Sequence, residues 1–146
     1  MRYLLDTNIF IDYVADDYIS TDILNLIDSY ENQIYVSSES MKEFIHLVQN
    51  GRVVPKKEIR SLDIFDLIET TFGFEVKYVT KEHLRTFAKL ESVEGHNDPS
   101  DRLIISQSLT EKIPLISSDT KFPSILPFLP CTERQPVNTQ SNKIRE

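Results

Sequence analysis

Glycine is scarce: the three that occur in 146 residues, Gly51, Gly73 and Gly95, each stand alone. Dinucleotide and nucleoside-triphosphate sites need glycine-rich turns that let backbone amides approach phosphates, so dehydrogenase and P-loop readings are excluded. Cysteine is scarcer still. The single Cys131 cannot form an internal disulfide, which suits a reducing compartment. No apolar run approaches the length that crosses a bilayer. The first apolar stretch contains Asp6 and Asp12 and lacks a small-residue cleavage pattern, so it does not read as a secretory signal. A cytoplasmic protein with no membrane association is expected. Basic residues are also in short supply, with 16 Lys and Arg against 23 Asp and Glu and a net charge of −7. That balance argues against a broad basic surface for nucleic acid.

What is present is a chain with 40% hydrophobic residues, enough for one domain that buries its own core. Short β-like runs alternate with helical patterns, which predicts an α/β fold with a mainly parallel sheet. From Ser38 to Asn50 the apolar residues Met41, Phe44, Ile45 and Val48 follow the spacing of one buried helix face, and Glu43 points away from that stripe. Gly51 and Pro55 mark the helix end, and Ile59, Leu62, Phe65 and Ile68 give a second stripe, so a helical hairpin is expected. A strand over Glu75 to Val79, a helix over Lys81 to Glu91 and a helix opening at Asp98 follow. Residues 132–146 are polar, without apolar periodicity, and read as a mobile tail.

Four carboxylates stand out by position. Asp6 ends the run Tyr3-Leu4-Leu5, Glu43 lies in the helix after Ile34-Tyr35-Val36-Ser37, Asp101 follows Asp98-Pro99-Ser100, and Asp119 closes Pro114-Leu115-Ile116-Ser117-Ser118. Ligands of parallel sheets bind outside the carboxyl ends of the strands, so these acids could converge there. Clustered carboxylates repel and lose hydration, and a hard divalent cation with oxygen ligands removes that cost. Four acids without a Cys or His cluster suit Mg²⁺ or Mn²⁺ better than zinc. Setting the four aside leaves 16 basic against 19 acidic residues, or −3, so much of the acidity could sit in one site.

Each acid also has a simpler explanation. Asp6 could cap a helix starting near Thr7. Glu43 could be an exposed helical acid. Asp98 and Asp101 occupy the N-cap and third positions of a helix with Pro99 at its first position, where both favour the helix dipole. Asp119 could cap a short turn before Phe122-Pro123. Arg102 is more often an ion-pair partner than a catalytic group. His46 and His83 lie in helical patterns and read as surface or packing residues, and Lys42 and Lys121 read as solvent-exposed.

Leu4-Leu5-Asp6-Thr7-Asn8, Ser37-x-x-Ser40-x-x-Glu43, His96-x-Asp98-Pro99-x-Asp101-Arg102 before Leu-Ile-Ile-Ser-Gln, and Ile116-Ser117-Ser118-Asp119 together resemble the PIN-domain ribonucleases. Their subgroup most like this chain is the VapC-type toxins of toxin–antitoxin pairs. The resemblance covers residues 1–131 in order and implies a three-layer α/β/α fold with a mainly parallel central sheet. It further implies a metal-dependent endoribonuclease whose Mg²⁺ or Mn²⁺ is held by Asp6, Glu43, Asp101 and Asp119, the last in some relatives only through water. Thr7 or Asn8, Ser40, Ser118 and Arg102 would support those ligands, and Asp98 would be a cap or a supporting acid. Implied partners are an RNA substrate, an antitoxin whose C-terminal segment blocks the acidic cleft, and a second copy of the chain in a homodimer.

Two other readings compete. A haloacid-dehalogenase-type phosphatase also starts with an acid after its first strand but wants a second Asp two positions on, where this chain has Asn8. A PIN-like interaction module with a degenerate site is the other, against which the full set of acids argues.

Overall fold

The computed structural model describes residues 1–15, 17–53, 64–90 and 98–117. Four strands, β1 (Arg2–Leu5), β2 (Gln33–Ser37), β3 (Glu75–Lys77) and β4 (Leu115–Ile116), form one sheet in the order β3-β2-β1-β4 with every pairing parallel. Helices α1 (Thr7–Ala15), α2 (Thr21–Asp28), α3 (Ser38–Gln49), α4 (Ile64–Asp66), α5 (Lys81–Lys89) and α6 (Pro99–Glu111) connect them, and α4 runs into one π-helical turn at Leu67–Thr71. The expected parallel α/β architecture is what forms. Of the expected helical hairpin, the first helix forms as α3, and the second is described from Ile64 onward, where Ile68 is buried as its stripe requires; Ile59 and Leu62 lie outside the described residues. Residues 132–146 lie outside the described residues.

Side-chain alternation along parallel strands divides the sheet into rows. Leu5, Val36, Val76 and Ile116 are register partners and share one core with Ile9, Phe10, Met41 and Phe44. Leu4, Tyr35 and Leu115 point to the other face, against Ile104 of α6 and Ile113. Both faces are therefore covered, as a parallel sheet demands. Phe10 and Phe44 meet edge to face at 5.5 Å, locking α1 onto α3. Removing the fully buried Phe44 ring would cost about 3–5 kcal/mol.

The local signals that start and stop the helices operate as physical chemistry expects. Ser37 caps α3 through a 3.0 Å bond from the Glu39 amide, and Gly51 takes the left-handed backbone, φ 71°, just past its end. Asp98 caps α6, accepting from the Ser100 amide at 3.2 Å, with Pro99 at the first helical position. Strand β3 stops at Lys77, two residues short of expectation, because Thr80 turns the chain into α5 with a capping box. In that box the Thr80 amide donates to Nδ1 of His83, so the ring proton sits on Nε2 and is donated to Oε2 of Glu111 at 2.8 Å. His83 is thus fully buried between α5 and α6 rather than on the surface.

Candidate active site at the carboxyl end of the sheet

Beyond Leu5 and its partners comes one more row, and it is polar: Asp6, Ser37, Lys77 and Ser117 extend the strand pairing at the carboxyl ends. The chain runs from β1 outward through β2 to β3, then returns to place β4 on the far side of β1. That reversal makes the carboxyl ends of β1 and β4 the topological switch point, the position where open α/β sheets bind ligands. Asp6 and Ser117 follow those two strands and are hydrogen-bonded to each other.

Asp6 is only 5% exposed and does two things. Its Oδ1 accepts the Ile9 amide at 2.8 Å, so it caps α1, while the Ser117 hydroxyl donates to Oδ2. The capping reading and the site reading are thus compatible: one oxygen serves the helix and the other, bonded to Ser117, lies at the carboxyl end of the sheet. Both of these donors are neutral and orient the carboxylate.

Thr7, the next residue, places its hydroxyl 2.9 Å from that of Ser40, which is fully buried on α3. This contact sets the first turn of α1 against the first turn of α3. Asn8 is exposed. Glu43 lies three residues beyond Ser40, hence on the same helix face one turn along, and is half-buried. On α6, Asp98 is exposed and Asp101, in the first turn, is half-buried. Helices α1, α3 and α6 therefore all bring their N-termini to this end of the sheet, where the positive ends of their dipoles favour carboxylates and phosphates.

Arg102, in the first turn of α6, is engaged with α5. Its guanidinium donates to the Leu90 carbonyl at 2.6 Å and lies over the Phe87 ring at 5.0 Å, clamping α6 to α5. Asp119, Ser118, His96 and Lys121 lie outside the described residues. Among the described residues, no three His, Cys, Asp or Glu side chains are gathered closely enough to hold a metal ion. Among the described residues the carboxylates and hydroxyls at this end match in kind what a hard divalent cation takes.

Two residues at this end escaped the sequence reading. Ser117 is the partner of Asp6, and the only cue to it is register: each is the residue after a strand, and β1 pairs with β4. Glu39, in the first turn of α3, accepts from the Ser100 hydroxyl of α6 at 3.2 Å and pairs with Lys42 at 2.9 Å. Nothing local in the sequence marks that contact.

No curated protein matches the chain at a significant level. Among solved structures, one chain in the crystal structure of VapBC2 from Rickettsia felis bound to a DNA fragment from their promoter is similar, with a TM-score of 0.62 and 22% sequence identity over 88% of this chain and 96% of that one. At that identity the likeness speaks to the fold. Among the described residues no helix is long and apolar enough to cross a membrane. The PIN domain family model matches residues 3–125, from the strand that delivers Asp6 to beyond Asp119, and the chain belongs to that family.

Proposed function

We propose that the protein is a metal-dependent endoribonuclease, the toxin of a VapC-type toxin–antitoxin pair, working in the cytoplasm as a homodimer. The observation that carries the reading is Asp6: a buried carboxylate at the switch point of a parallel sheet, aimed by the Ile9 amide and the Ser117 hydroxyl. That side chain caps α1 and at the same time sets a carboxylate oxygen, the donor type a hard cation takes, at the carboxyl end of the sheet.

Asp6, Glu43, Asp101 and Asp119 would hold Mg²⁺ or Mn²⁺. When bound, the cation supplies positive charge that activates water and steadies the phosphodiester oxygens during hydrolysis. The chain's own residues supply placement. Ser117 and the α1 amide hold Asp6 in one rotamer, Thr7 and Ser40 hold α1 to α3, and the three helix N-termini favour the entering phosphate. No side chain is assigned a covalent role. Similarity to VapBC2 and to VapC-type sequences supports an antitoxin partner whose basic segment enters the acidic cleft, with Arg favoured over Lys for two-pronged contact with carboxylates.

The test is cleavage of total cellular RNA with and without chelator, beside the Asp6→Asn variant, with the product ends mapped. Cleavage that requires Mg²⁺ or Mn²⁺ and vanishes in Asp6→Asn is expected, and undiminished cleavage by the variant refutes the site. The second reading is an interaction module with a degenerate site. Metal binding by the wild type without any cleavage would select it.

A further inference from the structure

Glu39 is a second acid on the face of α3 that carries a proposed ligand, Glu43. It precedes Glu43 by four residues, so the two lie within about 40° of each other around the helix axis, and like charges at that spacing repel. Its carboxylate is mostly shielded, with the side chain 19% exposed, and one oxygen takes both of its contacts: the Lys42 ammonium at 2.9 Å and the Ser100 hydroxyl at 3.2 Å. Ser100 is the residue immediately before Asp101. The bond therefore spans 61 positions of sequence and joins the helix bearing Glu43 to the turn bearing Asp101.

We infer that Glu39 is a positioning residue for the acidic site: through Ser100 it fixes the first turn of α6 against α3 and so sets where Asp101 stands relative to Glu43. The inference rests on the nuclease reading above. Lys42 has a matching part, since its charge, 64% exposed and paired to Glu39, offsets the added negative charge and engages the oxygen that accepts from Ser100. An ionised acceptor makes a stronger bond to a hydroxyl than a neutral one does, which accounts for an acid here despite its acidic neighbours. The cap of α3 does not depend on this side chain, because Ser37 accepts from the Glu39 backbone amide. Glu39→Ala should therefore fold.

The test measures Mn²⁺ binding by electron paramagnetic resonance and RNA cleavage on the same proteins: wild type, Glu39→Ala, Glu39→Gln, Ser100→Ala and the double variant Glu39→Ala/Ser100→Ala. Glu39→Ala and Ser100→Ala should each weaken Mn²⁺ binding and lower kcat by about 10-fold or more, the scale seen when a residue that orients a metal ligand is removed, with KM for RNA unchanged. Glu39→Gln retains an acceptor for Ser100 and should stay within about three-fold of wild type, a change worth less than 1 kcal/mol. The double variant should be no worse than the poorer single one, because both remove one interaction. A loss confined to melting temperature, with Mn²⁺ binding intact, overturns the inference. So does a Gln variant as poor as Ala, which would make Glu39 a ligand by its charge. If the wild type itself neither binds Mn²⁺ nor cleaves RNA, the nuclease reading falls and takes this inference with it. If it does both and Glu39→Ala matches it, the inference alone falls.

Discussion

Replacing Asp6 by asparagine and by alanine separates the charge at position 6 from the hydrogen bonds it makes. Asparagine is as good an N-cap as aspartate, so its amide oxygen can keep the 2.8 Å bond from Ile9 while its amide nitrogen faces the Ser117 hydroxyl, which can rotate to accept. The variant should stay within about 1 kcal/mol of wild type. Alanine loses the cap and the hydrogen bond from Ser117, together about 2–4 kcal/mol. For a chain of this size that is a fall in Tm of roughly 4–16 °C. Thermal melts of the three proteins, each with and without Mn²⁺, read out both effects. Mn²⁺ at about 100 times its Kd should stabilise the wild type by about 2.7 kcal/mol and leave both variants nearly unmoved. An asparagine variant that melts as low as alanine would refute the account of capping and hydroxyl pairing. One that Mn²⁺ still stabilises would refute the charge assignment.

The two acids of α6 should separate in the same way. Asp101→Asn is expected to abolish turnover at saturating metal, whereas Asp98→Asn, exposed and still a good cap, reduces it only partly, and reversed rates would exchange the assignments. The His83 hydrogen bond, more than the nearby Lys77 charge, holds the Glu111 carboxyl below its ordinary value of 4.5. Stability from this pair is therefore complete above about pH 4.5 and is lost as pH falls through the lowered folded value, so acid melts of Glu111→Gln should be flatter than wild type below that pH. At the alkaline end, burial and then the bond to Asp28 push the Tyr13 phenol up to about 12. Stability tied to that proton is present below pH 10 and lost as pH rises toward 12. Phenolate absorbance should accordingly show a late-titrating tyrosine that Tyr13→Phe removes, and an unchanged titration curve would contradict the Asp28 contact.

What could be read from the chain beforehand was what is encoded within a few residues. The Met41, Phe44 stripe, the Asp98-Pro99 start and the Gly51 stop depend on contacts three or four positions apart, and each acts as its local chemistry dictates. Sheet order is different in kind. That β4 returns to the far side of β1 depends on the whole path of the chain, and only that return makes Ser117 the partner of Asp6. Glu39 and Ser100, 61 positions apart, were hidden for the same reason. For His83 the sequence left surface and packing open, because nothing local shows that a capping turn and Glu111 will satisfy both of its ring nitrogens in the interior. Asp119 and Ser118, expected from the resemblance, lie outside the described residues.

Leu4 packs toward α6, Leu5 lies in the α1–α3 core, and the next residue is Asp6, so the chain changes from apolar to acidic at a single step. A shift of β1 by one residue against its neighbours would reverse every side chain and drive the Asp6 carboxylate into the space beside Phe10 and Phe44. An unpaired carboxylate there costs several kcal/mol. Asp6 therefore disfavours a one-residue slip of β1 as well as marking the carboxyl end of the sheet. An apolar replacement at position 6 would silence the site and at the same time remove the penalty that keeps misaligned sheets rare, so its damage would appear as aggregated protein as well as lost cleavage.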